Sequence, residues 1–522
     1  MPTQRRPPMP KLPPFALHEG KSKRKRPYYL VVFFFLFALP VFAVHIGLLG
    51  LPFFWDELGQ FVPSALDLLR DGALVPHSAV PNVHPPGLEA YLALIYKVFG
   101  YSIATTRMAM LLVASAGLLV LFLLAIELSK GTKGAPAFLP PLLLLASPLF
   151  FTQSMLAQLD MPAMVLTLLC LLLFICRRYT LAAIVTVVLV LVKETGVVVP
   201  AVLAATLLYR RDWKTASYYA VPFAVLGGWV LLLHRATGYW LGDPGFAHYN
   251  VAYALHPVRI LMSLTRRIYY VFFAEFRWVG TLMIATMLFR DRTQIFRRPE
   301  WVMTIAVAVC SLVLVSVLGG AELERYLLPV LPIFYIAASL ALSSRRRWLG
   351  IAATASLTLG LAANLFWNPP YPFPFENNLA MVDFLRLQQA AADFAQRSLH
   401  GKRIATAWPY TEALRRPEYG FVQHRLSTVE TGDFSFRSIR ALPPESFDAL
   451  ITYTRTWAPE ASVTSIPLVR RFLERYYGWN REITPDQCSR LNLQAVAAWK
   501  SRGQQITVYV RRRSPAYSGA IL

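Results

Sequence analysis

Charge is scarce in this 522-residue chain: 16% of its residues are Asp, Glu, Lys or Arg, against 56% that are hydrophobic. That is too little to clothe a water-soluble globular protein. Cysteine is scarcer still. Cys170, Cys176 and Cys310 fall inside apolar stretches and Cys488 stands alone in the polar C-terminal part, so neither a disulfide framework nor a zinc-ligand spacing is readable. No internal repeat occurs, and no low-complexity tract beyond a Pro-rich N-terminal arm. The first apolar run, Tyr29 to Leu51, lacks a small-residue cleavage site and is too long for a signal-peptide core. It reads as an uncleaved first span with the N-terminus in the cytoplasm.

Acidic residues are the minority sign, 29 against 52 Lys and Arg, which leaves a net charge of +23. An excess of that size would suit nucleic acid if it were concentrated. Instead it recurs in short clusters between apolar runs: Lys21 to Arg26, Lys130 with Lys133, Arg177 with Arg178, Arg210 to Lys214, Arg290 to Arg298, and Arg345 to Arg347. This is the positive-inside pattern of a polytopic membrane protein, and it removes the need for nucleic acid as a partner. Cytoplasmic basic clusters of this kind meet anionic lipid head groups.

Two basic clusters on one side of a membrane require an even number of passes between them. Ala135 to Cys176 makes a hairpin with Asp160 at its apex, and Trp301 to Leu342 makes another with Glu322, Glu324 and Arg325 at its apex. Leu181 to Tyr209 fits the same rule as two short arms of roughly 13 residues, only ~20 Å each, meeting at Lys193-Glu194. With the remaining spans the count is about eleven, an odd number that puts the C-terminus outside. The expected organisation is a basic arm (1–28), a transmembrane domain (29–366), a Pro-rich linker (367–378) and a small soluble α/β domain (379–522) on the extracytoplasmic side.

Every short outer apex therefore carries ionisable groups, and so does the surface behind the first span, where Asp56 and Glu57 follow Phe53-Phe54-Trp55. Taken singly, each has a bland explanation: interface charges for Asp56 and Glu57, an ion pair or a snorkelling stem for Lys193, a surface imidazole for His84 in the Pro85-Pro86 loop. Charges at or below a membrane surface are costly, so residues of this kind usually face a cavity and bind something. Their common side argues for one shared outer site, with Lys193 suited to a membrane-embedded phosphate.

The order of these motifs resembles the type C glycosyltransferase superfamily (GT-C), and within it the protein O-mannosyltransferase, aminoarabinose-transferase and rhizobial lipid-A glycosyltransferase-like group. The likeness runs through Asp56-Glu57, His84-Pro85-Pro86, Gln158-Leu159-Asp160-Met161-Pro162, Lys193-Glu194-Thr195-Gly196 and Glu324-Arg325-Tyr326-Leu327-Leu328-Pro329, and covers residues 29 to 366. It implies an inverting enzyme of a bacterial inner membrane that moves a sugar from a polyprenyl-phosphate donor to a hydroxyl on a glycan, lipid or protein. On that likeness Asp56 is the catalytic base, supported by Glu57, and Asp160 lies in the active cavity. Lys193, Arg325 and His84 belong beside the donor phosphate, and Glu194, Glu324 and Tyr326 line the acceptor side or the cavity. A divalent metal ion is left open, since some members of the superfamily bind one and no ligand spacing here demands it. Two other classes stand beside this reading: a transporter or flippase of lipid-linked sugars, which would place its site nearer the midplane, and a scaffold that keeps only the architecture.

Overall fold

The computed structural model describes residues 28–132, 136–290, 293–457 and 463–512. Residues 1–27 of the basic arm, Lys133 and Arg292 of two basic clusters, and 513–522 of the C-terminal part lie outside the described residues.

The chain is predominantly helical up to Asn364. Among the described residues four helices are long and apolar enough to cross a membrane: Tyr28–Leu48, Ile103–Leu128, Trp213–Thr237 and Pro299–Val317. Two bent pairs raise the number to six if each is one span: Pro148–Met155 with Asp160–Ile175, at 108°, and Pro257–Phe272 with Arg277–Phe289, at 84°. Shorter apolar helices, Tyr179–Val192, Glu194–Tyr209 and Leu331–Ser343, fill out the bundle. Length alone thus supports fewer passes than the eleven expected from charge, because polar breaks cut several apolar runs into arms of 13 to 16 residues. The apolar side chains left outside, such as Leu39 at 74% exposure, suit contact with lipid rather than water.

The breaks are where the chemistry-bearing residues sit. Asp160 opens its helix, where the dipole favours an anion. Lys193 closes Tyr179–Val192 in an extended conformation, and Glu324 to Leu327 form a single 3₁₀ turn. Trp55 holds a φ of +39°, a left-handed conformation that a bulky side chain adopts only when its surroundings impose it. Here the indole is packed edge-on to Trp408 and tilted against Phe384, and Asp56 follows it.

One buried ion pair ties the loop after the first helix to the break before Asp160. Arg107 on the Ile103–Leu128 helix and Glu57 are both fully buried. Arg107 donates to Glu57 Oε1 at 2.5 Å, to the carbonyl of Met155 at 2.9 Å and to that of Pro52 at 2.8 Å. Glu57 also accepts from the amides of Phe54 at 2.8 Å and Ala157 at 2.6 Å. The loop after the first helix and the break before Asp160 are therefore held by one guanidinium and one carboxylate.

After the bundle, five strands form a mixed sheet: β1 (Arg403–Ala407), β2 (Ser427–Thr431), β3 (Ala449–Tyr453), β4 (Leu493–Ser501) and β5 (Gln504–Arg511). Their order is β2-β1-β3-β5-β4. β1 runs parallel to β2 and β3, with Ile404 opposite Thr428 and Ala449, while β5 is antiparallel to β3 and β4. The helix Ala380–Ser398 packs on β4 and β5. A single hydrophobic cluster runs from the bundle into this part, through Phe53, Phe54, Phe375, Phe384 and Tyr453. The Pro-rich stretch between them folds inward, burying Phe373 and Phe375, because its aromatic side chains have more apolar area to bury than its prolines have need of water.

Removing one partner of the Arg107–Glu57 pair strands a buried charge, which costs ~3–5 kcal/mol. We expect Arg107→Leu to lower the temperature at which the detergent-solubilised protein loses its monodisperse chromatographic peak by many degrees. An unchanged transition would show that the pair does not hold the loop to the break.

Candidate active site

Five separate segments deliver ionisable side chains to one place at one end of the bundle. Arg325, with its side chain 6% exposed, is at the centre. Its Nη2 pairs with Asp56 Oδ2. Its Nε lies 3.2 Å from Asp160 Oδ2 and its Nη1 donates to Glu376 Oε2 at 3.0 Å. Lys193 joins through the other oxygen of Asp160, and its ammonium stands 4.3 Å from the centre of the Tyr326 ring. The guanidinium carbons of Arg325 and Arg267 each lie 5.6 Å from that ring centre. Three cations thus surround one aromatic face, an arrangement worth more where water is excluded.

Of the residues singled out in the sequence, the fold brings Asp56, Asp160, Lys193, Arg325 and Tyr326 together. The rest stand beside this cluster and pair with other residues. Glu57 turns away from Asp56 to Arg107, because adjacent residues on a tight helical turn point to different sides. His84 Nδ1 pairs with Glu194 Oε2 at 2.8 Å; burial holds the imidazole back from protonation, but the Glu194 carboxylate outweighs it and the pKa is raised. Glu324 accepts from Arg266 Nε at 2.8 Å and from Asn377 Nδ2 at 3.0 Å.

Glu376 was not anticipated. It is the only charged residue between Arg347 and Asp383, a signal hidden by its place directly behind the Pro-rich stretch. Its backbone carbonyl accepts from the Thr152 hydroxyl, Gln158 Nε2 reaches its Oε2 at 3.3 Å, and its Oε1 is buried without a partner. Burial pushes its carboxyl up to about 7, with Arg325 pulling the other way and Asp56 adding to the rise. Taking the carboxylate out of water is the larger effect, and the neighbouring Asp56 and Asp160 add to it.

Asp56 is the most open member, its side chain 14% exposed against 4% for Asp160 and Glu376. It is therefore the carboxylate an incoming molecule meets. Among the described residues no group of three or more His, Cys, Asp or Glu side chains is placed to hold a metal ion. The space between the three carboxylates is taken by the Arg325 guanidinium, so this donor set does not fit the divalent ion considered from the sequence.

No family model matches the chain and no curated protein matches it. Solved structures do. ArnT from Cupriavidus metallidurans in the apo state superposes with a TM-score of 0.52, and the same protein bound to undecaprenyl phosphate with 0.51. In both cases the identity is 15% and the match covers 92% of this chain and 98% of ArnT. At this identity the likeness is one of fold: the chain is folded as ArnT is, which agrees with the resemblance read from the order of its motifs.

Because Glu376 is neutral below about pH 7, the cluster is more receptive to an anion there. For the same reason the folded state binds more protons than the unfolded one between the ordinary carboxylate range and pH 7, so this group withdraws stability as pH rises through that window. We expect affinity for a soluble phosphate monoester, read as a ligand-induced thermal shift, to be on the order of tenfold higher at pH 6 than at pH 8. Glu376→Gln should flatten the difference, and a slope that persists in that variant would assign the titration to another group.

Proposed function

We propose that this protein is a membrane glycosyltransferase that moves a sugar from a polyprenyl-phosphate carrier to an acceptor hydroxyl with inversion at the anomeric carbon. The observation that carries the proposal is Arg325, buried between Asp56, Asp160 and Glu376 with Lys193 one carboxylate away. An apolar fold keeps such a cluster only where a charged ligand repays it. The ArnT structure of the same fold is bound to undecaprenyl phosphate, which supports a lipid phosphate as the ligand here.

In this reading the donor phosphate takes the place of a carboxylate on Arg325, through the planar guanidinium fork, while Lys193 contributes a point charge. Asp56, released from Arg325, accepts the proton of the acceptor hydroxyl as that oxygen attacks the anomeric carbon. The bond from that carbon to the phosphate oxygen breaks, and its electron pair leaves with the polyprenyl phosphate. Arg325 and Lys193 stabilise the charge that develops there. Asp160 holds Lys193 and Arg325 in register. The chain's buried Glu57 acts as a scaffold for the loop that presents Asp56, and His84 with Glu194 forms a second polar wall next to Lys193.

The membrane placement belongs to the same proposal. Eleven passes, counting the short arms that meet at Lys193 and at Arg325, put the basic clusters on the cytoplasmic side and both the site and the sheet domain outside a bacterial inner membrane. The location of the charges at one end of the bundle favours this reading over a transporter, whose site would lie nearer the midplane.

The test is transfer of radiolabelled sugar from a panel of polyprenyl-phosphate sugars by the reconstituted protein. Asp56→Asn should reduce turnover by ~10²–10⁴-fold while the protein still binds donor. Lys193→Ala should chiefly weaken donor binding. Normal transfer by the Asp56 variant would remove the proposed base, and donor translocation without transfer would move the assignment to a flippase.

A further inference from the structure

The opposite end of the bundle holds a second feature, unconnected with the carboxylate cluster. Leu331–Ser343 leads from the Arg325 turn to the Arg345-Arg346-Arg347 run, and its 13 residues put ~20 Å between the two. At that far end four helices, Tyr28–His45, Leu139–Ala146, Leu331–Ser343 and Arg347–Asn364, diverge around a cavity of about 1070 Å³. Small-molecule pockets run to ~300–1,000 Å³, so this space suits a chain-like occupant. Its walls include Leu36, Phe138, Leu142, Ile351 and Leu359, each of them exposed rather than packed. In a bilayer such a wall is covered by hydrocarbon, since water gains no hydrogen bonds there.

The mouth has the opposite character. Arg345 and Arg347 both line the cavity. Arg345 is anchored across the gap to the Arg277–Phe289 helix, by the Thr286 hydroxyl and the Met283 carbonyl. Arg346 and Arg347 are exposed, and among the described residues neither forms a salt bridge with a carboxylate. Trp348, 67% exposed, follows them, as aromatic residues do at the level of lipid head groups. An apolar cleft of acyl-chain dimensions whose mouth carries the exposed Arg347, with Arg346 beside it in the chain, is complementary to a lipid with a negative head group.

We propose that this cleft is a binding site for an anionic phospholipid of the surrounding leaflet, with its acyl chains in the cavity and its phosphate at Arg346 and Arg347. The site lies beyond the proposed sugar transfer and does not depend on it. Its occupant wedges the first helix against the last two, so it stabilises the bundle from the end that carries no catalytic group.

The experiment is native mass spectrometry of the full-length protein in detergent with phosphatidylglycerol or phosphatidylcholine of identical chains. Phosphatidylglycerol should be retained preferentially. Arg346→Ala and Arg347→Ala should each cost about fivefold in that retention, the expected share of one near-surface charge. Ala355→Trp, which fills the cleft from an exposed wall position, should abolish retention while leaving the chromatographic profile unchanged. Equal retention of the two lipids, full retention in Ala355→Trp, or displacement of phosphatidylglycerol by equimolar decaprenyl phosphate would each overturn the proposal. None of these readouts uses turnover, so they stand or fall apart from the sugar-transfer assay.

Discussion

Everything at the charged end of this molecule depends on keeping charge paired where water is thin. A guanidinium that is 6% exposed would be prohibitive alone in a bundle built of Leu, Val and Phe, and so would each of the carboxylates around it. Together they cancel, but they do so incompletely, with three anions against two direct cations. Burial, helped by Asp56 against the pull of Arg325, leaves Glu376 close to the point of protonation.

The same constraint explains the shape of the fold. An uninterrupted apolar helix has no means of placing a charge at a chosen depth. The chain breaks its helices instead, at Asp160, Lys193 and the Glu324 turn, and before Asp160 freed backbone groups are taken up by side chains, the Met155 carbonyl by Arg107 and the Ala157 amide by Glu57. The breaks also shorten the flanking arms, which is why a count based on helix length falls below a count based on the alternation of basic clusters.

Much of this was legible in the sequence because charge in an apolar chain is so sparse that each instance carries information. Asp56, Asp160, Lys193 and Arg325 could be assigned to one face from the positions of the basic clusters alone. Sequence could not say which of two adjacent carboxylates faces the cavity; that was decided by Arg107, fifty residues away on another helix. Nor could it recover Glu376. A Pro-rich stretch after the last apolar run has the composition of a spacer, and only the burial of Phe373 and Phe375 shows that it folds back to deliver a side chain. The small α/β character of the C-terminal part was readable from its short strand-like runs, whereas its sheet order, which mixes parallel and antiparallel neighbours, depends on long-range pairing that local pattern does not encode.

The indole of Trp408 rests on Gly59 so closely that no Cβ would fit there, and Glu376 arrives only after the last helix of the bundle. The membrane part, once inserted, is thus still missing one of its carboxylates and the wall over Trp55. During synthesis the helices enter the bilayer first, and the segments that complete the cluster, Glu376 and then Trp408, follow last. A nascent or truncated chain ending at the bundle would hold Arg325 between two carboxylates instead of three, so assembly of the site is a late event in the biogenesis of this protein.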